Sequence, residues 1–164
     1  MDTTEILIKI RKIVRSINLE SKKIQKEYGV SIPQILCLNY LNESGNYQAS
    51  QGELRKFLQL NSSTTSGIIN RLENKGLVAR LPKLGDKRVV TIALTSKGEK
   101  LLKQIPSLLH LQLSDKLQKL DEKTLKNVKS SLELLVELLE INEIEASPML
   151  TIEDHLEEDN SNQG

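Results

Sequence analysis

Apolar positions along the chain recur mostly at helical spacing, and local punctuation divides them into segments. Ile6, Ile10, Ile13, Val14, Ile17 and Ile24 mark one helix over about residues 3–28, with Gly29 as its natural stop. Ser31-Ile-Pro-Gln34 has the form of a capping box: a Ser side chain accepts from a free amide and Gln reaches back three residues later. The helix it opens carries Ile32, Ile35, Leu36, Leu38 and Leu41 nearly all round, so it is expected at the centre, ending near Gly45. Ser50-Gln-Gly-Glu53 is a second box, before a short helix with Leu54, Phe57 and Leu58 inward. After a turn at Leu60-Asn61, a further helix runs to about Lys75, where Gly76-Leu77 suggests a left-handed cap with an apolar clasp.

The period then changes from 3.6 to 2. Val78–Leu81 and Val89–Leu94 alternate as short strands do, joined by a charged connection with Gly85 for a tight turn. Ser96-Lys-Gly-Glu99 reads as a third box, starting a helix with Leu101, Leu102, Ile105, Leu108 and Leu109 that Pro106 should kink or break. Asp121 can cap a last helix with a seam at Leu125, Val128, Leu132, Leu135, Leu139 and Asn142. The fold class is therefore mainly α. Two short helices followed by a hairpin have the order of a winged helix-turn-helix. The expected division is an N-terminal helix (1–30), a winged region (31–95), C-terminal helices (96–142) and an acidic tail (143–164).

Charge sharpens this picture. The net +1 hides an asymmetry: residues 143–164 hold seven acids and no Lys or Arg. The preceding 142 residues therefore carry 23 basic against 15 acidic side chains, a balance of +8, which suits a polyanion partner. Only four aromatics are present, few for a protein that stacks single-stranded bases. No apolar run reaches membrane-spanning length and the N-terminus lacks a signal-peptide pattern, so a cytoplasmic protein with no membrane partner is expected.

Catalysis would need a nucleophile–base pair, a metal cluster or a phosphate loop. Two His (His110 and His155), one Cys and no Gly-rich strand-to-helix turn supply none of these, so neither an enzyme nor a cofactor or metal site is expected. Cys37 is the one redox candidate; a buried structural thiol is the favoured reading.

The stretch "NSSTTSGIINRLENKGL" carries the functional argument. Ile68, Ile69 and Leu72 set its buried direction, with Thr65 on the same side. The opposite face holds Ser63, Ser66, Gly67, Asn70 and Asn74, flanked by Thr64 and Arg71. Such small hydrogen-bonding residues, free of acids, allow a backbone to approach a groove floor and touch base edges. Ser63, Ser66 and Asn70, helped by Ser62 and Thr64, are the candidate base readers. Arg71, with Lys83, Lys87 and Arg88 from the hairpin, would supply phosphate or minor-groove contacts. Asp86 would organise the hairpin tip by accepting from turn amides or pairing with Arg88 or Arg71.

Residues 50–98 resemble the MarR family of bacterial winged helix-turn-helix transcriptional regulators. The resemblance rests on "SQGELRKFL", "SSTTSGIINRLENKGLVAR" and "GDKRVVTIALTSKG", the last with an Asp-x-Arg wing signature at Asp86-Lys-Arg88, followed by Leu94-Thr95 and Gly98. "SIPQILCLNYL" is similar to the preceding helix of that family, and the match extends over roughly residues 5–142. It implies a homodimer in which the flanking helices form a dimerisation domain, the N-terminal dimerisation helix (1–30) interlocking with the C-terminal dimerisation helices (96–142), while the DNA-binding region (31–95) places a recognition helix in successive major grooves of double-stranded DNA and a wing in the flanking minor groove. A repressor on a palindromic operator, released by a small-molecule or redox signal of unknown identity, is the expected function. The tail after residue 143 lies outside the family pattern. The competing expectation is a winged-helix dimer that binds another protein with no sequence-specific DNA binding.

Overall fold

The structure, a computed structural model, describes residues 2–82, 85, 88–144 and 146. These form two compact units, one running to Pro106 and one beginning at Ser107.

In the first unit, helix α1 spans Thr3–Tyr28, with Asp2 capping it by accepting from the Thr4 amide. Gly29 closes it at φ 69°, a left-handed conformation that glycine adopts without steric cost. Helix α2 (Ile32–Glu43) begins at the Ser31 box: the Gln34 amide donates to Ser31 Oγ at 3.3 Å and the Ser31 amide to Gln34 Oε1 at 3.2 Å. Ile32 through Leu38 and Leu41 are all buried, and α2 packs against the helices and sheet that follow. The all-round apolar pattern thus marks the centre of the unit.

A 3₁₀ turn at Gly45–Tyr47, with left-handed Asn46 and Tyr47, leads into strand β1 (Gln48–Ser50). Three residues are too few to show a period, which is why the pattern reading contains no strand there. Helix α3 (Gln51–Leu58) starts at the Ser50–Glu53 box, both bonds of which are present at 3.1 and 2.6 Å. Helix α4 (Ser62–Asn74) follows, and it ends in a Schellman motif. The Leu77 amide donates to Leu72 O and that of left-handed Gly76 to Glu73 O.

Strands β2 (Val78–Arg80) and β3 (Thr91–Leu94) complete an antiparallel sheet of order β1-β3-β2. Ala49 faces Ile92 and Arg80 also faces Ile92 across the two ladders. Both strands are shorter than the alternation implied, yet pairing continues outward: the Leu81 amide donates to Thr91 O and that of Gln51 to Val90 O. Ile92 is inaccessible to solvent, while Val89 is exposed.

Helix α5 (Ser96–Gln104) departs from expectation at its start. Thr95, not Ser96, is the cap; its Oγ1 accepts from the Gly98 amide at 3.1 Å and donates to Gly76 O at 2.7 Å. The second bond reaches nineteen residues back, a partner that no local pattern contains. α5 packs on α2, so it belongs to the same unit as the winged region.

Gly98 lies where α5 meets the start of β2. A Cβ there would sit 2.3 Å from Leu77 O and 2.7 Å from Leu94 Cδ1. Gly98→Ala is expected to cost about 2–3 kcal/mol, in the range of overpacking a close-packed interior. A lowered urea midpoint at constant m-value would report it, and an unmoved midpoint would mean that the contact relaxes freely.

The second unit contains helix α6 (Leu109–Leu117) and helix α7 (Glu122–Leu138). Pro106 lies between α5 and α6, so the helix is broken in two there, one of the two outcomes expected of it. Asp121 caps α7, accepting from the Thr124 amide at 2.9 Å and its hydroxyl at 2.6 Å; these bonds hold its carboxyl below the usual range. No helix among the described residues is long and apolar enough to cross a membrane.

Candidate nucleic-acid interface

Helix α4 is anchored from beneath. Thr64, Thr65, Ile68, Ile69 and Leu72 are buried, forming a continuous stripe at spacings of one, three and four residues. Asn61 fastens the N-terminus: its Oδ1 accepts from the Thr64 amide at 2.8 Å and its carbonyl from the Thr65 hydroxyl at 2.9 Å. Thr64 is only 8% exposed, so it does not flank the outward face as the helical projection suggested. It lies one turn before Ile68 on the same ridge and belongs to the buried side.

The remaining candidates stay on the outer surface. Ser62, Ser63, Asn70 and Asn74 are exposed, while Ser66, Gly67 and Arg71 are half-buried. The Arg71 guanidinium lies along Gly67, its Nη1 3.5 Å from where a Cβ would stand. Glu73 is the one acid in α4, and it sits in the last turn, away from the end where the helix dipole is positive. The first turn therefore offers hydroxyls, backbone amides and no carboxylate to an approaching anion.

Arg80 of β2 is a part of this surface that the sequence reading gave no role. Its Nη1 donates to Glu73 Oε1 at 2.9 Å, its backbone amide to Glu73 Oε2 at 3.1 Å, and its Nη2 to Asn70 Oδ1 at 2.6 Å. An exposed ion pair of this kind adds at most about 1 kcal/mol to stability. Its consequence is geometric, because Arg80 fixes the orientation of Asn70. With Oδ1 engaged, the Asn70 amide nitrogen is the group left to donate outward, which suits acceptor atoms such as guanine N7 and O6. The available signal was an Arg ending a strand beside the acidic last turn of α4.

Arg88 is exposed on the chain returning to β3. Lys83, Asp86 and Lys87 lie outside the described residues, as does nearly all of the acidic tail including His155. Cys37 is completely buried in α2, which removes it from direct contact with a solution oxidant.

The comparisons agree with this architecture. Residues 30–90 match the model of the MarR family. The uncharacterised HTH-type transcriptional regulator YsmB of Bacillus subtilis is 32% identical over 96 residues, which cover 58% of this chain and 64% of that relative. This match thus spans just under two thirds of YsmB. The uncharacterised HTH-type regulator YfiV of the same organism is 28% identical over 136 residues, covering 83% of this chain and 84% of its own. In fold, the chain is similar to MepR of S. aureus in its DNA complex, with a TM-score of 0.61 at 22% identity over 84% of this chain and 98% of MepR. Winged-helix geometry, an anchored α4 and these likenesses converge on one family: residues 30–90 match the MarR family, and the relatives this chain is similar to are HTH-type transcriptional regulators.

Proposed function

We propose that this chain regulates transcription in the cytoplasm as a homodimer that reads a roughly palindromic duplex, most simply as a repressor that occludes a promoter. The observation that carries the reading is the outward face of α4. It is small, hydrogen-bonding and free of acids through its first turn, on a helix whose opposite side is locked into the core. Ser63, Ser66 and Asn70, with Ser62 at the N-terminus, read or position bases in the major groove, while Arg71, Lys83, Lys87 and Arg88 neutralise phosphates or enter the minor groove. Thr64 contributes through the buried side, by holding the helix. Asp86 organises the wing.

The homodimer is supported by apolar surface that each unit leaves exposed. On α1, Ile6, Leu7, Ile13, Val14 and Leu19 are solvent-facing, and on α7 so are Leu125, Val128, Leu132, Leu134 and Leu138. Contiguous apolar faces of this kind mark interaction surfaces, and a two-fold pair would set half-sites about one helical turn apart. A small-molecule effector would act by binding the DNA-incompetent spacing of the two recognition helices more tightly.

Selection of random duplexes on the purified protein, sequenced at two salt concentrations, tests the reading. An enriched inverted repeat is expected. Weak binding without a motif, lost at moderate salt, would leave the basic body as a mere polyelectrolyte and bring forward the protein-interaction module. Within the selected site, Arg88→Ala should weaken binding and lower the salt slope by roughly one unit per half-site. An unchanged affinity and slope would remove Arg88 from the interface.

A further inference from the structure

Strand β2 is an edge of the sheet, so its outer amides have no strand to pair with. Glu73, in the last turn of α4, takes the one at Arg80. Its Oε2 accepts that amide at 3.1 Å while Oε1 accepts from Arg80 Nη1 at 2.9 Å. One carboxylate therefore sets both the backbone and the guanidinium of Arg80 against the helix. The strand is fixed from its other side, because Arg80 stands opposite Ile92, which is fully buried. With a side chain only 28% exposed, the planar fork is oriented before any ligand arrives.

The second arm of that fork, Nη2, donates to Asn70 at 2.6 Å. A guanidinium only donates, so the atom facing it must be the amide oxygen, which decides the way Asn70 points. The two ends of an amide diverge. With Oδ1 turned toward β2, the amino group is the end presented away from the strand, on a residue that is itself exposed. Asn reads adenine through both ends at once, Oδ1 accepting from N6 and Nδ2 donating to N7. The charge-assisted bond from Arg80 competes with the neutral adenine donor for Oδ1. Guanine instead presents two acceptors, N7 and O6, and the two protons of the amino group can serve both.

We infer that Arg80 is a positioning residue for base selection: by holding Asn70 Oδ1 it makes position 70 a donor-only reader, which selects guanine and rejects adenine at one position of each half-site. Glu73 acts one step further back, by setting the fork. The choice of base rests on the function proposed above; the orientation of Asn70 does not.

Two measurements test these separately. In the free protein, side-chain heteronuclear relaxation should find the Asn70 amino group as ordered as the backbone, with S² about 0.85, falling below about 0.6 in Arg80→Met. In duplexes selected on the parent, one position per half-site should favour guanine over adenine by about tenfold, and Asn70→Ala should erase that preference. Arg80→Met should turn the same position to adenine, while the loss of a cation lowers affinity for every duplex alike. Glu73→Ala leaves β2 unaltered and should shift the preference the same way by a smaller factor. A merely structural or phosphate-binding Arg80 would give the uniform loss alone. Guanine retained by both variants, or adenine already preferred by the parent, would therefore overturn the inference. An Asn70 amino group as mobile in the parent as in Arg80→Met would overturn the hold on Oδ1 itself. A rigid Asn70 in a protein that selects no duplex would overturn the proposed function and leave that hold standing.

Discussion

Glutamate at both Ser63 and Ser66 is expected to reduce affinity for the selected duplex by about 100-fold or more while leaving the protein folded. Ser63 occupies the second position of α4, where a carboxylate complements the positive end of the helix dipole. The substitution should thus leave thermal stability unchanged or slightly raised. On the outer face the same charges would meet the negatively charged groove, and two unfavourable contacts of about 1.5 kcal/mol each amount to roughly two decades in Kd. Stability and binding therefore move in opposite senses, which separates a lost interface from a lost fold. Fluorescence anisotropy with the selected site, beside a melting curve, reads both. If the doubly substituted protein bound that duplex like the parent, α4 would not be the reading element.

Leu132→Asp on α7 should convert a dimer into monomers at micromolar concentration. Leu132 is 54% exposed in the single chain, so the substitution removes little that the isolated fold relies on, and helical circular dichroism should persist. In a two-fold assembly each substitution counts twice. Losing the burial of two leucines costs about 3–6 kcal/mol, and desolvating two carboxylates adds to it. Dimer dissociation should therefore become at least a thousandfold easier. Sedimentation velocity would show the change, and duplex affinity should fall with it because the half-sites are no longer linked. A dimer of undiminished strength would mean that the α7 face is covered by something other than a second copy.

Both expectations began in the spacing of residues. Helix starts were legible because a capping box is a contact between residues three apart, so Ser31–Gln34 and Ser50–Glu53 contain their own partners. The same holds for Asp121 with Thr124 and for the Gly76–Leu77 closure. The core side of α4 was legible because helical geometry converts Ile68, Ile69 and Leu72 into one direction. The third box failed for the opposite reason. Ser96 and Thr95 are both competent caps, and the choice between them depends on Gly76, whose carbonyl reaches the Thr95 hydroxyl from another element.

The wing shows the same boundary. Alternation located β2 and β3, since a two-residue period is local. It could not find β1, which exists because Ala49 lies opposite Ile92, forty-three residues further along the chain. Nor could it turn Thr64 inward or join Arg80 to Asn70, which makes the amide nitrogen of that base-reading candidate its outward group.

Taken by itself, the sequence determined the helical class, the helix-turn-helix order, the exposed polar face of α4 and the apolar seams of α1 and α7. Each depends on periodicities and caps that close within a few residues. Tertiary structure alone decided which hydroxyl caps α5 and how Asn70 is oriented. Those are contacts between distant segments, whose partners are chosen by packing a shared core and not by any spacing along the chain.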